Sequence, residues 1–70
     1  MKYLIILEEI STGFSAYAPD LPGCVAAGET AEETEAIMRE AVEFHLEGMR
    51  ADGERIPVPH SRAAFVEVAA

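Results

Sequence analysis

Apolar and polar positions change rhythm four times along the chain. Lys2 to Ile10 reads as a strand, with Tyr3, Ile5 and Leu7 on one face and Leu4 and Ile6 on the other. Both faces are apolar, which predicts a central strand. Ser11-Thr12-Gly13 is a short turn in which Gly13 can take positive φ, and Phe14 to Ala18 returns as the second strand of a hairpin. Pro19-Asp20-Leu21-Pro22-Gly23 then interrupts the alternation. Its prolines fix φ and remove backbone donors. Asp20 is placed to accept from amides just ahead of it, and Gly23 permits a tight reversal. Cys24 to Gly28 follows as a short third strand of small residues.

A helical period then takes over. Thr30-Ala31-Glu32-Glu33 has the spacing of a capping box, the Thr30 hydroxyl accepting from the Glu33 amide and the Glu33 carboxylate reaching back to the Thr30 amide. Helix signals run to Ala51, and Asp52-Gly53 stops them with Gly53 as the left-handed residue. Thr34, Ile37, Met38, Ala41, His45, Gly48 and Met49 share one face. Glu32, Glu33, Glu40, Glu43 and Glu47 lie opposite, with Arg39 and Arg50. Ile56-Pro57-Val58-Pro59 is extended by its prolines, and Ala63 to Val68 alternates as a fourth strand.

The predicted class is therefore α+β, in the order β-β-β-α-β, as a single domain over residues 1–70. A crossover helix makes the last strand parallel to the first. Placing it beside the first gives strand order 3-2-1-4, with one long helix on one face. The other face keeps either Leu4 and Ile6 or Tyr3, Ile5 and Leu7 partly uncovered. An uncovered apolar face in so short a chain predicts a homo-oligomer or a bound partner, since small domains bury too little surface to be comfortable alone.

Composition narrows the function. Half the residues are apolar, which excludes a disordered chain. The longest apolar run, Leu4 to Leu7, is too short for a membrane span or a secretory segment, so a cytoplasmic protein is expected. One cysteine and two histidines fall short of a structural zinc site, and no cofactor is expected. The net charge of −8 argues against phosphate backbones, so no DNA binding is expected of this chain alone. It fits either a basic partner or plain solubility. The absence of Asn and Gln is thermophile-like.

The chemically capable residues each have a plainer explanation. His45 sits on the apolar helix face with no second ligand within a turn, as a packed histidine would. Asp20, His60 and Ser61 supply the letters of a hydrolytic triad, but triads are defined by geometry. Asp20 with Glu8 could be compared with a two-metal nuclease site, which needs more carboxylates gathered together; a turn-stabilising Asp20 is the simpler account. Cys24 reads as a small buried hydrophobe rather than a reactive thiol. Leu46, about 180° from Ile37 around the helix, reads equally as a lone exposed leucine or an interface border.

The string Pro19, Asp20, Leu21, Pro22, Gly23, Cys24, with Gly28-Glu29-Thr30, the helix segment Phe44-His45-Leu46-Glu47-Gly48 and the Ile56-Pro57-Val58-Pro59 exit, resembles the HicB-like antitoxin domain. The resemblance covers nearly the whole chain. It implies a partly degraded ribonuclease-H-like fold and a non-enzymatic interaction domain that neutralises HicA, a small basic RNA-cleaving toxin. On that reading Glu40, Glu43 and Glu47 are acids available to face the partner. Many such antitoxins also carry a C-terminal DNA-binding segment, which this sequence is expected to lack. The alternatives are a solitary homo-oligomeric regulator and a vestigial ribonuclease-H-like enzyme. A short basic reading frame next door would favour the antitoxin.

Overall fold

The computed structural model describes residues 1–69 and contains three strands and a helix; Ala70, the last residue of the expected domain, lies outside them. The strands are β1 (Ile6–Ile10), β2 (Gly13–Tyr17) and β3 (Val25–Gly28), and α1 spans Ala31–Ala51. They form one antiparallel sheet in the order β1-β2-β3.

The pairing register assigns the faces. Leu7, Ala16 and Ala26 stand in one row across the sheet, and Ile6, Tyr17 and Val25 in the next. The first row lies under the helix with Tyr3 and Ile5, packed around the buried Met38, Leu21 and Cys24. Ala16 and Ala26 are small, so the helix can come close. The Ile6 row faces away from it, and Tyr17 and Val25 there are exposed. Of the two faces left open by sequence, the one carrying Ile6 is the uncovered one.

β1 is shorter than expected, starting at Ile6 rather than Lys2. The reason lies in its partner. Ile6 pairs with Tyr17, so Ile5 would face Ala18. The Ala18 amide instead donates to the Cys24 carbonyl at 3.3 Å, and the next residue is a proline with no amide to offer.

The helix begins at Thr30, whose Oγ1 accepts from the Glu33 amide at 3.1 Å. The Glu33 carboxylate reaches the Glu29 amide at 3.5 Å, one residue earlier than a reciprocal capping box requires. At the other end Gly53 has φ +71°. Its amide donates to Arg50 and the Glu54 amide to Met49, the paired bonds of a Schellman ending.

Two further expectations fail. The helix is rolled by about half a residue step from the predicted face: Thr34, Met38 and Leu46 are buried, while Ile37 and Gly48 are exposed. Leu46 is thus a core residue and neither a lone surface leucine nor an interface border. α1 lies chiefly over β2 and β3, and beyond β3 no strand is present among the described residues to cover Ile37. Second, the fourth strand does not form among the described residues. Residues 63–69 are exposed and in no ladder, so the order 3-2-1-4 is replaced by a three-stranded sheet. The path of the chain explains it. The Tyr3 hydroxyl donates to the Pro57 carbonyl at 2.5 Å, and Ser61 is held at Asp20. Between these anchors the chain crosses the end of the sheet, moving away from β1 toward the β2–β3 connection.

Candidate functional site

The connection between β2 and β3 is built by overlapping tight turns. Leu21 donates to the Ala18 carbonyl at 3.0 Å and Cys24 to the Leu21 carbonyl at 3.1 Å. The folding of this loop drives the Leu21 side chain into the core, where it is fully buried. Gly23 takes φ +84° to close it. Pro19 lies between the two buried residues Ala18 and Asp20, and Pro19, Pro22 and Gly23 are exposed on the loop. Cys24 is buried, and that burial pushes its thiol pKa up, away from the reactive thiolate.

Asp20 is the polar centre of the loop. It is buried, and it accepts from groups forty residues downstream rather than from amides just ahead of it. Oδ2 accepts from the His60 and Ser61 amides, both at 2.9 Å, and Oδ1 accepts from the Ser61 hydroxyl at 2.6 Å. The His60 Nδ1 lies 3.3 Å from Oδ1. Donation by the Ser61 hydroxyl and then its amide, with help from His60, holds the carboxyl at about 2, well below its ordinary 3.8.

The structure therefore gathers Asp20, His60 and Ser61, but not as a triad. In a triad the imidazole stands between carboxylate and hydroxyl and takes the hydroxyl proton. Here Ser61 donates directly to Asp20, and the His60 ring is exposed to one side. The cluster is a clasp joining the exit segment to the turn. Glu8, offered with Asp20 as a metal pair, is on the exposed end of β1 and pairs with Ser15. Among the described residues no group of three or more His, Cys, Asp or Glu is placed to hold a metal ion. His45 is half-buried, bordering a shallow cavity with Met49, Pro22 and Pro57.

Glu40, Glu43 and Glu47 are all exposed on α1. At about 100° per residue they fall within about 60° of arc, a continuous acidic strip on the outer side of the helix. Sequence reasoning missed a second surface feature. A groove of about 580 Å³ runs between the segment preceding β1 and α1. Tyr3, Ile5, Val42 and Leu46 give it an apolar lining, and Lys2, Arg39 and Arg50 stand at it with Glu35 and Glu43. The helical period places Arg39 and Arg50 beside Leu46, but only the roll of the helix reveals that Leu46 faces inward.

The sequence model of the family described as "HicB_like antitoxin of bacterial toxin-antitoxin system" matches residues 3–69. The chain belongs to the HicB-like antitoxin family. Its relatives include Antitoxin HicB 2 of Photorhabdus laumondii, 34% identical over 100% of this chain and 51% of that protein. An uncharacterised 14.9 kDa protein of Haemophilus phage HP1 is 42% identical over 81% of this chain and 43% of its own length. The chain thus spans about half the length of these two relatives. A UPF0150 protein of Thermoplasma acidophilum is 33% identical and is covered over 84% of its length. Among solved structures, a chain of a "HicA3 and HicB3 toxin-antitoxin complex" superposes with a TM-score of 0.74 at 32% identity, over 86% of this chain and 70% of that one. The α+β class and the family implied by the Pro19–Cys24 string both stand. Among the described residues no helix of this HicB-like chain is long and apolar enough to cross a membrane.

Proposed function

We propose that this HicB-like chain binds and neutralises a small, basic, RNA-cleaving toxin of the HicA kind, and that it does so by contact rather than by catalysis. The observation that carries the reading is the likeness, at 32% identity over 86% of the chain, to a chain from a HicA3 and HicB3 toxin-antitoxin complex. The electrostatics support it. Acids outnumber Lys and Arg 13 to five, and Glu40, Glu43 and Glu47 form an exposed strip. Such a field attracts a basic protein and speeds its encounter. It repels phosphate backbones, so specific reading of duplex DNA is no part of the role of this chain alone.

The non-catalytic part of the reading rests on the clasp. The Ser61 hydroxyl that a hydrolase would use as nucleophile is committed to Asp20, with no base between them. On this reading the protein works in the cytoplasm, beside its toxin and that toxin's RNA substrates.

The test is direct. Where a short basic reading frame adjoins the gene, its product is purified and its cleavage of RNA is measured with and without this chain. Stoichiometric suppression is expected, at a molar ratio near one toxin-binding unit per toxin. Cleavage that persists in the presence of a large excess removes the antitoxin reading.

A further inference from the structure

The helix leaves one side of the sheet unfinished. α1 lies over β2 and β3 and touches β1 least. The outer edge of β1 has no strand beside it among the described residues. The groove floored by Tyr3, Ile5, Val42 and Leu46 continues that edge along the segment preceding β1. An open edge above an apolar groove is a template for one more strand.

The chain also carries an unused strand. Ala63 to Val68 alternates as a strand does, yet Phe65 is 100% exposed, Val66 84% and Val68 75%. Residue for residue, this is the most exposed apolar stretch of the molecule. It leaves the body after the Asp20–Ser61 clasp, and the molecule measures 49 × 26 × 16 Å. Its radius of gyration is 13.8 Å, against about 11 Å for a compact chain of this length. The tail is thus held out, away from the edge it would fit.

We infer that residues 63–68 of one copy add as a strand to the β1 edge of a second copy, reciprocally, so that this protein dimerises by strand exchange. The pleat fits both faces. With Phe65 and Glu67 turned toward the helix, Phe65 fills the groove and Glu67 meets Arg39 and Arg50 at it. Val66 and Val68 then extend the uncovered apolar row of Ile6, Tyr17 and Val25. Charge selects this occupant over a basic toxin. The groove gathers Lys2, Arg39 and Arg50, three of the five bases in a chain of net charge −8, against two acids, Glu35 and Glu43. On so acidic a chain this local excess of positive charge favours an acidic copy and disfavours a basic partner. A phenylalanine alone buries about 150–250 Å², and each copy contributes one, with Val66 and Val68, toward the roughly 1,200 Å² of a stable interface.

The inference does not rest on the toxin reading, and its test needs no toxin. Sedimentation equilibrium of the full chain is expected to show a dimer at micromolar concentration. Val66→Pro, which fixes φ away from strand geometry and removes a backbone donor, and Phe65→Ser are each expected to yield monomer with the helical circular dichroism unchanged. Glu67→Arg and Arg39→Glu are each expected to weaken association by about tenfold or more, since each homodimer then sets like charges against one another twice. Mixing the two variants restores it, because each tail then meets an opposite charge in the other copy. That rescue in trans cannot arise from a tail folding back on its own chain. A monomeric native protein at 100-fold higher concentration, association indifferent to Val66→Pro and Phe65→Ser, or no rescue on mixing would each overturn the inference.

Discussion

The Ser61 hydroxyl donates to Asp20 at 2.6 Å across 41 residues of chain. This bond, with the two backbone amides that Asp20 also accepts, fixes where the exit segment meets the turn and therefore where the tail departs. It turns the most conspicuous motif of the sequence from a local turn into a tertiary anchor.

The clasp makes a pH prediction. The Asp20 carboxyl titrates at about 2 in the folded protein against an ordinary 3.8. A group depressed on folding stabilises above its unfolded pKa and loses that contribution as pH falls through its folded pKa. Stability from Asp20 is therefore complete above about pH 4 and declines from there to about pH 2. Urea midpoints across this window are expected to fall less steeply for Asp20→Asn than for the native chain. Ser61→Ala removes the largest cause of the depression, so the Asp20 carboxyl, followed by NMR, is expected to titrate closer to its ordinary value. An Asp20 that titrates identically in both proteins refutes the clasp as the cause.

Glycine positions separate strain from crowding. Gly13 has φ +143°, and a Cβ there would lie 2.2 Å from the Gly28 carbonyl oxygen. Gly23 has φ +84°, but a Cβ there would meet nothing within 4 Å. Gly23→Ala is expected to cost about 1–2 kcal/mol, the left-handed penalty alone. Gly13→Ala adds a backbone clash to a comparable strain and is expected to cost more than that, about 3 kcal/mol or above. Equal denaturation midpoints for the two variants would contradict the hairpin geometry.

The roll of the helix can be read by truncation. Leu46 is 9% exposed and Ile37 38%. Leu46→Ala is expected to destabilise by about 2–4 kcal/mol, as buried leucines do, and Ile37→Ala by about 1 kcal/mol or less. The reverse order would restore the helix face predicted from the periodicity.

For toxin binding, Glu40→Lys with Glu47→Lys reverses the acidic strip while sparing Glu43, which also borders the groove. Stopped-flow association with the toxin is expected to slow by about tenfold at low salt, with the difference shrinking as salt rises and dissociation little changed. Rates unmoved by both charge reversal and salt discard the strip as the steering surface.

Local signals in the sequence determined the hairpin, the third strand, the capped helix and the family, because each depends on neighbours a few residues apart. Thr30 can cap only the amides just after it. Gly53 can close only the helix just before it. The Pro19–Cys24 string identified the family because its loop is specified by prolines and a glycine in fixed order. Three things were decided only in the tertiary structure. The helix roll that buries Leu46 and exposes Ile37 depends on which strands lie beneath, and the apolar arc on the helix is wide enough to allow either. The clasp joins Asp20 to Ser61 over a separation that no local pattern encodes. The alternation of Ala63 to Val68 specifies a strand, but not the edge that receives it. Strand propensity lives in the side chains, whereas pairing is settled by where the preceding anchors leave the backbone, and here they leave it outside its own sheet.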